Sequence, residues 1–219
     1  MGDPRKIGKN DKARVLCFGD SLTWGYVPAG MGRRWPWGVR WTSLVSEAVG
    51  CQVIEEGLPG RTTCVRDPLM PFGAAIDYVD ACVLSQLPLD LIITMLGSND
   101  LKDSYHRSAE DIAASVMEVV AHERRLAPDA KMLVVSPPAL GDFDTVDDPA
   151  FVSALSDASV RESKRIAGCL QPLCEASGCA FFDAATVAHG AQPDAMHLDQ
   201  EGNRRLADAL VPIVRALLR

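Results

Sequence analysis

Four short segments hold residue types that can act together in one reaction: Gly19-Asp20-Ser21-Leu22, the glycine of Glu55-Glu56-Gly57, Gly97-Ser98-Asn99-Asp100, and Asp194-Ala195-Met196-His197. Ser21 offers a hydroxyl nucleophile, His197 an imidazole to take its proton, and Asp194 a carboxylate to orient that imidazole. The backbone N–H groups of Ser21 and Gly57 and the side-chain amide of Asn99 are candidate donors to a developing oxyanion. Acyl transfer needs one of each of these parts. Taken singly, each segment has an ordinary explanation. Gly-Asp-Ser after a strand is a common turn, Asn99-Asp100 can cap a helix, and Gly57 can simply close a turn. The case for chemistry is that all four occur in order at the exits of predicted strands and together supply every role the reaction needs.

Those roles converge only if the strands end on one edge of one sheet. Short apolar runs at Arg14–Phe18, Gln52–Glu56, Leu91–Leu96, Met132–Ser136 and Ala180–Phe182 predict strands buried on both faces. Helical patterns alternate with them at about Thr42–Val49, Ala74–Gln86, Ala109–Leu126 and Ala150–Ser177, and from Gln200 to the C-terminus. This alternation reads as α/β, a parallel sheet with helices on both faces, and such sheets bind ligands beyond the carboxyl ends of their strands. Gly50 and Gly178 are placed to take the left-handed turn after a helix, and Ser108 with Asp111 to start one. Leu206, Leu210, Ile213, Val214 and Leu217 share one face of the last helix, in which Pro212 predicts a kink.

All four tryptophans fall between Trp24 and Trp41, directly after the nucleophile. Leu22, Trp24 and Tyr26 suit an apolar acyl or aryl group better than a phosphate. Trp24 and one of Trp35 or Trp37 are expected to wall a short acyl pocket, with Leu22 as a further substrate-binding residue. Any one of these rings is as readily core or interface.

The 219 residues, 47% hydrophobic and 23% charged, suit one globular domain over 14–219 behind a polar tail at 1–13 that is disordered or solvated. A net charge of −7 without basic clusters argues against nucleic acid or an anionic membrane surface as partner. The first residues lack the apolar core of a signal peptide, Lys6 breaks a myristoylation motif, and no run approaches the length of a spanning helix. Seven cysteines without a C-x-x-C pair predict free thiols in a reducing cytoplasm.

The four segments, with FGDSLTWGY, VIEEGLPGRTT, LPLDLIITMLGSND and LVVSPP, resemble the blocks of SGNH hydrolases, the GDSL esterases and lipases, and look similar to their bacterial arylesterase/acyltransferase branch. The resemblance spans roughly Arg14 to Leu218. It implies a flavodoxin-like three-layer α/β/α sandwich on a five-stranded parallel sheet, with Ser21, Asp194 and His197 as triad and Ser21, Gly57 and Asn99 as oxyanion donors. It implies no cofactor and no metal, a small-molecule ester as partner, transfer to alcohols or peroxide beside hydrolysis, and a homo-oligomer. Sugar or lipid acyl esters and thioesters are alternative substrates within the same superfamily.

Two other readings compete. A metal-dependent hydrolase would need clustered ligands, whereas His106, His122 and His189 are scattered, with only Asp183 and His189 near the Asp194 loop. A non-catalytic flavin or signalling domain would want a Ser/Thr/Gly-rich first loop. The G-x-S-x-G elbow of α/β-hydrolases is absent.

Overall fold

A computed structural model of the chain describes residues 12–141, 143, 146 and 154–219. The tail expected at 1–13 lies almost wholly outside the described residues, as does the start of the helix expected from Ala150.

Five strands form one parallel sheet: β1 (Arg14–Gly19), β2 (Gln52–Gly57), β3 (Leu91–Met95), β4 (Lys131–Ser136) and β5 (Ala180–Asp183), in the order β2-β1-β3-β4-β5. The side-chain period of two splits each strand between two cores. Leu16, Phe18, Ile92 and Val134 face α3 (Ala75–Gln86), α4 (Ala109–Leu126) and α6 (Ile166–Ser177), where Val79, Ile112, Val116 and Leu170 meet them. Val15, Cys17, Ile93 and Val135 face the opposite layer, α2 (Trp41–Val49) and α7 (Gln200–Leu217), through Trp41, Val45, Leu206 and Leu210. The result is the three-layer α/β/α sandwich with a flavodoxin-like strand order.

Most predicted boundaries fall within a residue or two of those found. Gly50 and Gly178 end α2 and α6 at φ values of 78° and 69°, the left-handed region. Ser108 and Asp111 form a reciprocal capping box at the start of α4.

The helix expected over Ala150–Ser177 is instead two, α5 (Asp157–Ser163) and α6. Ser156 starts α5 by accepting from Ala158 N, which closes off any longer helix on that side. At its other end the ladder tightens, with Arg165 N donating to Glu162 O at 2.9 Å while the Lys164 N–Val160 O bond stretches to 3.4 Å. Ser163 adds to the break: its hydroxyl donates to Val160 O and accepts from Leu140 N. Helix α7 remains one continuous element through Pro212, which is exposed, so the proline ring and its missing N–H fall on the solvent side of the helix.

Candidate active site

Strand order reverses between β1 and β3, the place beyond the carboxyl ends of the strands where sheets of this kind bind ligands. The chain leaving β1 turns at once into the single-turn helix α1 (Ser21–Trp24). A Cβ at Gly19 would lie 2.1 Å from Thr23 Oγ1 and 2.7 Å from Met95 O, so only glycine lets α1 fold back on the strand. Asp20 caps that turn, its Oδ1 accepting from Leu22 N at 2.9 Å. Ser21 is then the first helical residue, and its N–H has no acceptor within the helix. Gly57, paired in register with Gly19, abuts the same turn: a Cβ there would sit 2.2 Å from Trp24 N.

The acid–base loop is built as locally. Asp194 Oδ1 accepts from Met196 N (3.0 Å) and His197 N (2.9 Å), a turn that brings both side chains to one side. Asp194 Oδ2 then lies 2.8 Å from His197 Nδ1, and His197 Nε2 lies 2.9 Å from Ser21 Oγ. None of the three residues is more than 4% exposed. Burial works against ionisation of Asp194, but hydrogen bonds from the His197 ring and backbone and from Ala29 N outweigh it and hold the carboxyl below its ordinary range. With the carboxylate accepting from Nδ1–H, Nε2 is the nitrogen left to take a proton from the serine.

Asn99 stands in a short 3₁₀ turn after β3. Its Nδ2 donates to Arg61 O at 3.0 Å and lies 3.4 Å from Asp20 Oδ2. Asp20 is fully buried, and burial raises its carboxyl to about 6 against the opposing effects of Leu22 N, the His197 charge and Ser98. Next to Asn99, buried Asp100 accepts from the backbone and hydroxyl of Thr63, pinning the loop after β2 to the loop after β3.

The tryptophan-rich segment lies across the acid–base loop as a strap. Ala29, at φ 47°, donates its N–H to Asp194 Oδ2 at 2.8 Å. The Tyr26 ring stacks on the His197 imidazole with centroids 4.3 Å apart, and Trp35 Nε1 donates to Leu198 O at 3.0 Å. On its other side the strap is fastened to β2, where Glu55 accepts from Arg34 Nη2 (2.8 Å) and from Arg40 Nε and Nη2 (both 2.9 Å). Arg40 Nη1 also donates to Trp35 O.

The four residues expected to contact substrate part company here. Trp24 lies between the Arg34 guanidinium and Tyr26, and Trp35 lies against the acid–base loop. Leu22 points inward and belongs to the core around Trp41, because α1 turns that side of its single turn toward α2. Trp37 is 52% exposed, bonded to Glu47 and stacked on Arg40. Sequence reasoning gave no site role to Asp20, Ala29 or Arg61; Asp20 and Arg61 lie inside the quoted blocks, whereas Ala29 carries no signal in its residue type.

Among the described residues no three His, Cys, Asp or Glu side chains group as metal ligands. Asp183 caps the turn at Ala185, and His189 pairs its backbone with Ala139. No described helix is long and apolar enough to cross a membrane, and all seven cysteines are free thiols.

Residues 17–205 match the model of the GDSL-like lipase/acylhydrolase family. The chain belongs to that family. Two solved structures show how far the likeness extends for this GDSL hydrolase. Est24, a carbohydrate acetylesterase from Sinorhizobium meliloti, is 35% identical with a TM-score of 0.88 over 94% of this chain and 100% of its own. The M. smegmatis aryl esterase is 36% identical with a TM-score of 0.86 over the same shares. A G-D-S-L lipolytic protein from Veillonella parvula, 14% identical with a TM-score of 0.64, shares the fold. No curated protein sequence matches the chain.

Proposed function

We propose that this GDSL hydrolase is a serine esterase that cleaves short-chain acyl and aryl esters through an acyl-enzyme on Ser21. The observation carrying this is the buried hydrogen-bonded run from Ser21 Oγ through His197 to Asp194. In the first half-reaction Ser21 Oγ attacks the ester carbonyl carbon while its proton passes to His197 Nε2. Asp194 stabilises the imidazolium so formed, and the Ser21 N–H with Asn99 Nδ2 receives the charge on the carbonyl oxygen; Gly57, expected from the sequence as a further donor, pairs with Gly19 in the register that has Leu58 N on Gly19 O, which turns its own N–H away from β1. The imidazolium then protonates the departing alcohol. Water, activated by the same imidazole, attacks the acyl-serine in the second half; a bound alcohol or hydrogen peroxide in its place gives acyl transfer.

Trp24 and Trp35 bound the acyl side of this site in our reading, since both lie along the strap that covers the acid–base loop. Preference for short chains follows, as does some protection of the acyl-enzyme from water. The enzyme works in the cytoplasm on this reading, which the free thiols support. It also self-associates, and Met31, Leu69 and Phe72, each at least 86% exposed, are apolar surface that a second copy would cover.

An ester panel from acetyl to octanoyl on aryl, alkyl and sugar alcohols tests the substrate class, and the 35% identity to a carbohydrate acetylesterase is the reason to include the sugars. Ser21→Ala abolishes turnover without unfolding the protein, and a fluorophosphonate labels Ser21 alone. Wild-type turnover in the Ala variant, or label on another serine, defeats the assignment.

A further inference from the structure

Tyr26 follows α1 almost directly, and its ring lies over the imidazole of His197 with centroids 4.3 Å apart and planes 26° from parallel. Three contacts hold the residue in place. Its backbone N–H donates to Ser21 O at 3.0 Å, its hydroxyl accepts from Gly32 N at 2.8 Å, and its backbone pairs with Arg34 across the strap. Held at both ends, the ring presents its face to the imidazole, and that face carries the negative lobe of the aromatic quadrupole. A cation within about 6 Å of such a face is attracted to it, and the attraction grows when the cation is shielded from water. In the reaction read above, the imidazole is neutral while substrate binds. It becomes a cation each time Nε2 takes a proton, first from Ser21 and later from water. His197 is 4% exposed, so little water competes for that charge.

We propose that Tyr26 is a positioning residue that acts through His197: its ring face stabilises the imidazolium over the neutral imidazole and so contributes to both half-reactions. This rests on the reading of His197 as the base. Plain cover explains the contact less well, since a leucine or methionine would shield the imidazole without a pinned, near-parallel ring. Two carboxyl groups also act on this imidazole, Asp194 from its own loop and Asp20 from the turn after β1. Asp194 meets the imidazole at its edge, on Nδ1, so the Tyr26 ring adds to it from the face.

The test compares Tyr26→Leu and Tyr26→Met, which keep apolar bulk without a ring, with Tyr26→Phe, which keeps the ring face and loses the hydroxyl. Protonation of His197 is read by NMR of protein labelled at histidine Cε1. The chain has four histidines, and the His197 resonance is the one missing from His197→Gln. A direct reading is needed because burial raises the Asp20 carboxyl to about 6, where its own titration would bend an activity profile. One cation–π contact changes a protonation equilibrium by about two- to thirtyfold. The His197 midpoint is therefore expected to fall by about 0.4–1.5 pH units in the Leu and Met variants and to stay with the parent in Tyr26→Phe. On nitrophenyl acetate, kcat per fluorophosphonate-labelled site falls by up to the same factor in the Leu and Met variants, with KM near the parent value, and recovers in Tyr26→Phe.

An unchanged or raised midpoint in the Leu and Met variants overturns the proposal, because lost shielding alone lets water reach the imidazolium and moves the midpoint upward. A Tyr26→Phe midpoint that falls with them overturns it too, since the hydroxyl and not the ring would then be responsible. Failure of both non-aromatic variants to fold reduces Tyr26 to a structural residue. Ser21→Ala separates these outcomes from failure of the functional reading. If that variant is dead while the Tyr26→Leu midpoint is unchanged, only the role of Tyr26 falls; if it stays active, the site itself is misassigned and this proposal falls with it.

Discussion

Glu123 is fully buried on α4, where the hydroxyl of Thr94 on β3 lies 2.8 Å from Oε1 and 2.7 Å from Oε2. A hydroxyl has one proton to give, so both contacts are good only if Thr94 donates to one oxygen and accepts from a protonated other. Burial accordingly raises the carboxyl from 4.5 to about 8, opposed only by the Thr94 bond. Below 4.5 both folded and unfolded chains hold this proton, and Glu123 costs no stability by ionisation. Between 4.5 and 8 the unfolded chain releases it while the folded one keeps it, so stability falls as pH rises. Integrating that linkage from pH 5 to pH 8 gives a loss of about 3–4 kcal/mol from this one group. Glu123→Gln keeps both contacts, its amide donating to Thr94 Oγ1 and its carbonyl accepting, and removes the titration. Urea unfolding of both proteins from pH 5 to pH 8 therefore shows Glu123→Gln gaining on the parent by about 3–4 kcal/mol across that interval, all other titrating groups cancelling in the difference. Parallel stability curves would mean that Glu123 ionises normally in the folded protein and would refute the buried-acid argument.

The remaining predictions concern the site. Asn99→Ala lowers kcat by about 10²–10³-fold with little change in KM, through loss of one donor to the oxyanion; a defect confined to KM contradicts that role. Trp35→Phe keeps an aromatic face but loses the bond to Leu198 O, so it lowers kcat while leaving the chain-length profile near that of the parent. Trp24→Ala broadens acyl-chain tolerance or lowers the ratio of transfer to hydrolysis, whereas Trp37→Ala, at the surface beside Glu47, changes neither. Profiles and partition ratios from the ester panel decide among these, and an unchanged Trp24→Ala enzyme removes that ring from the pocket.

Local pattern determined much of this molecule. Strand residues such as Leu16 and Cys17 face opposite layers because side chains alternate along a strand, and an apolar run of that length announces a buried strand in any sequence. Gly50, Gly178 and the Ser108–Asp111 pair mark helix ends through conformational limits that act within a turn. The Asp194–His197 contact is legible for the same reason, since three residues in one turn bring both side chains together. Tertiary structure alone decided the contacts between distant segments. Ser21 meets His197 across 176 positions and Ala29 meets Asp194 across 165, and the second pairing uses a backbone N–H that any residue but proline could supply. Leu22 looked like pocket and is core because the orientation of α1 against α2 is set by packing, which spacing does not encode. The break after Ser163 depended on Leu140 N arriving from another part of the chain, and Arg61 reaches the carbonyls of Gly19 and Glu56 only where β1 and β2 end side by side. Periodicity specifies which face a residue presents, but the partner waiting on that face is chosen by how the layers close.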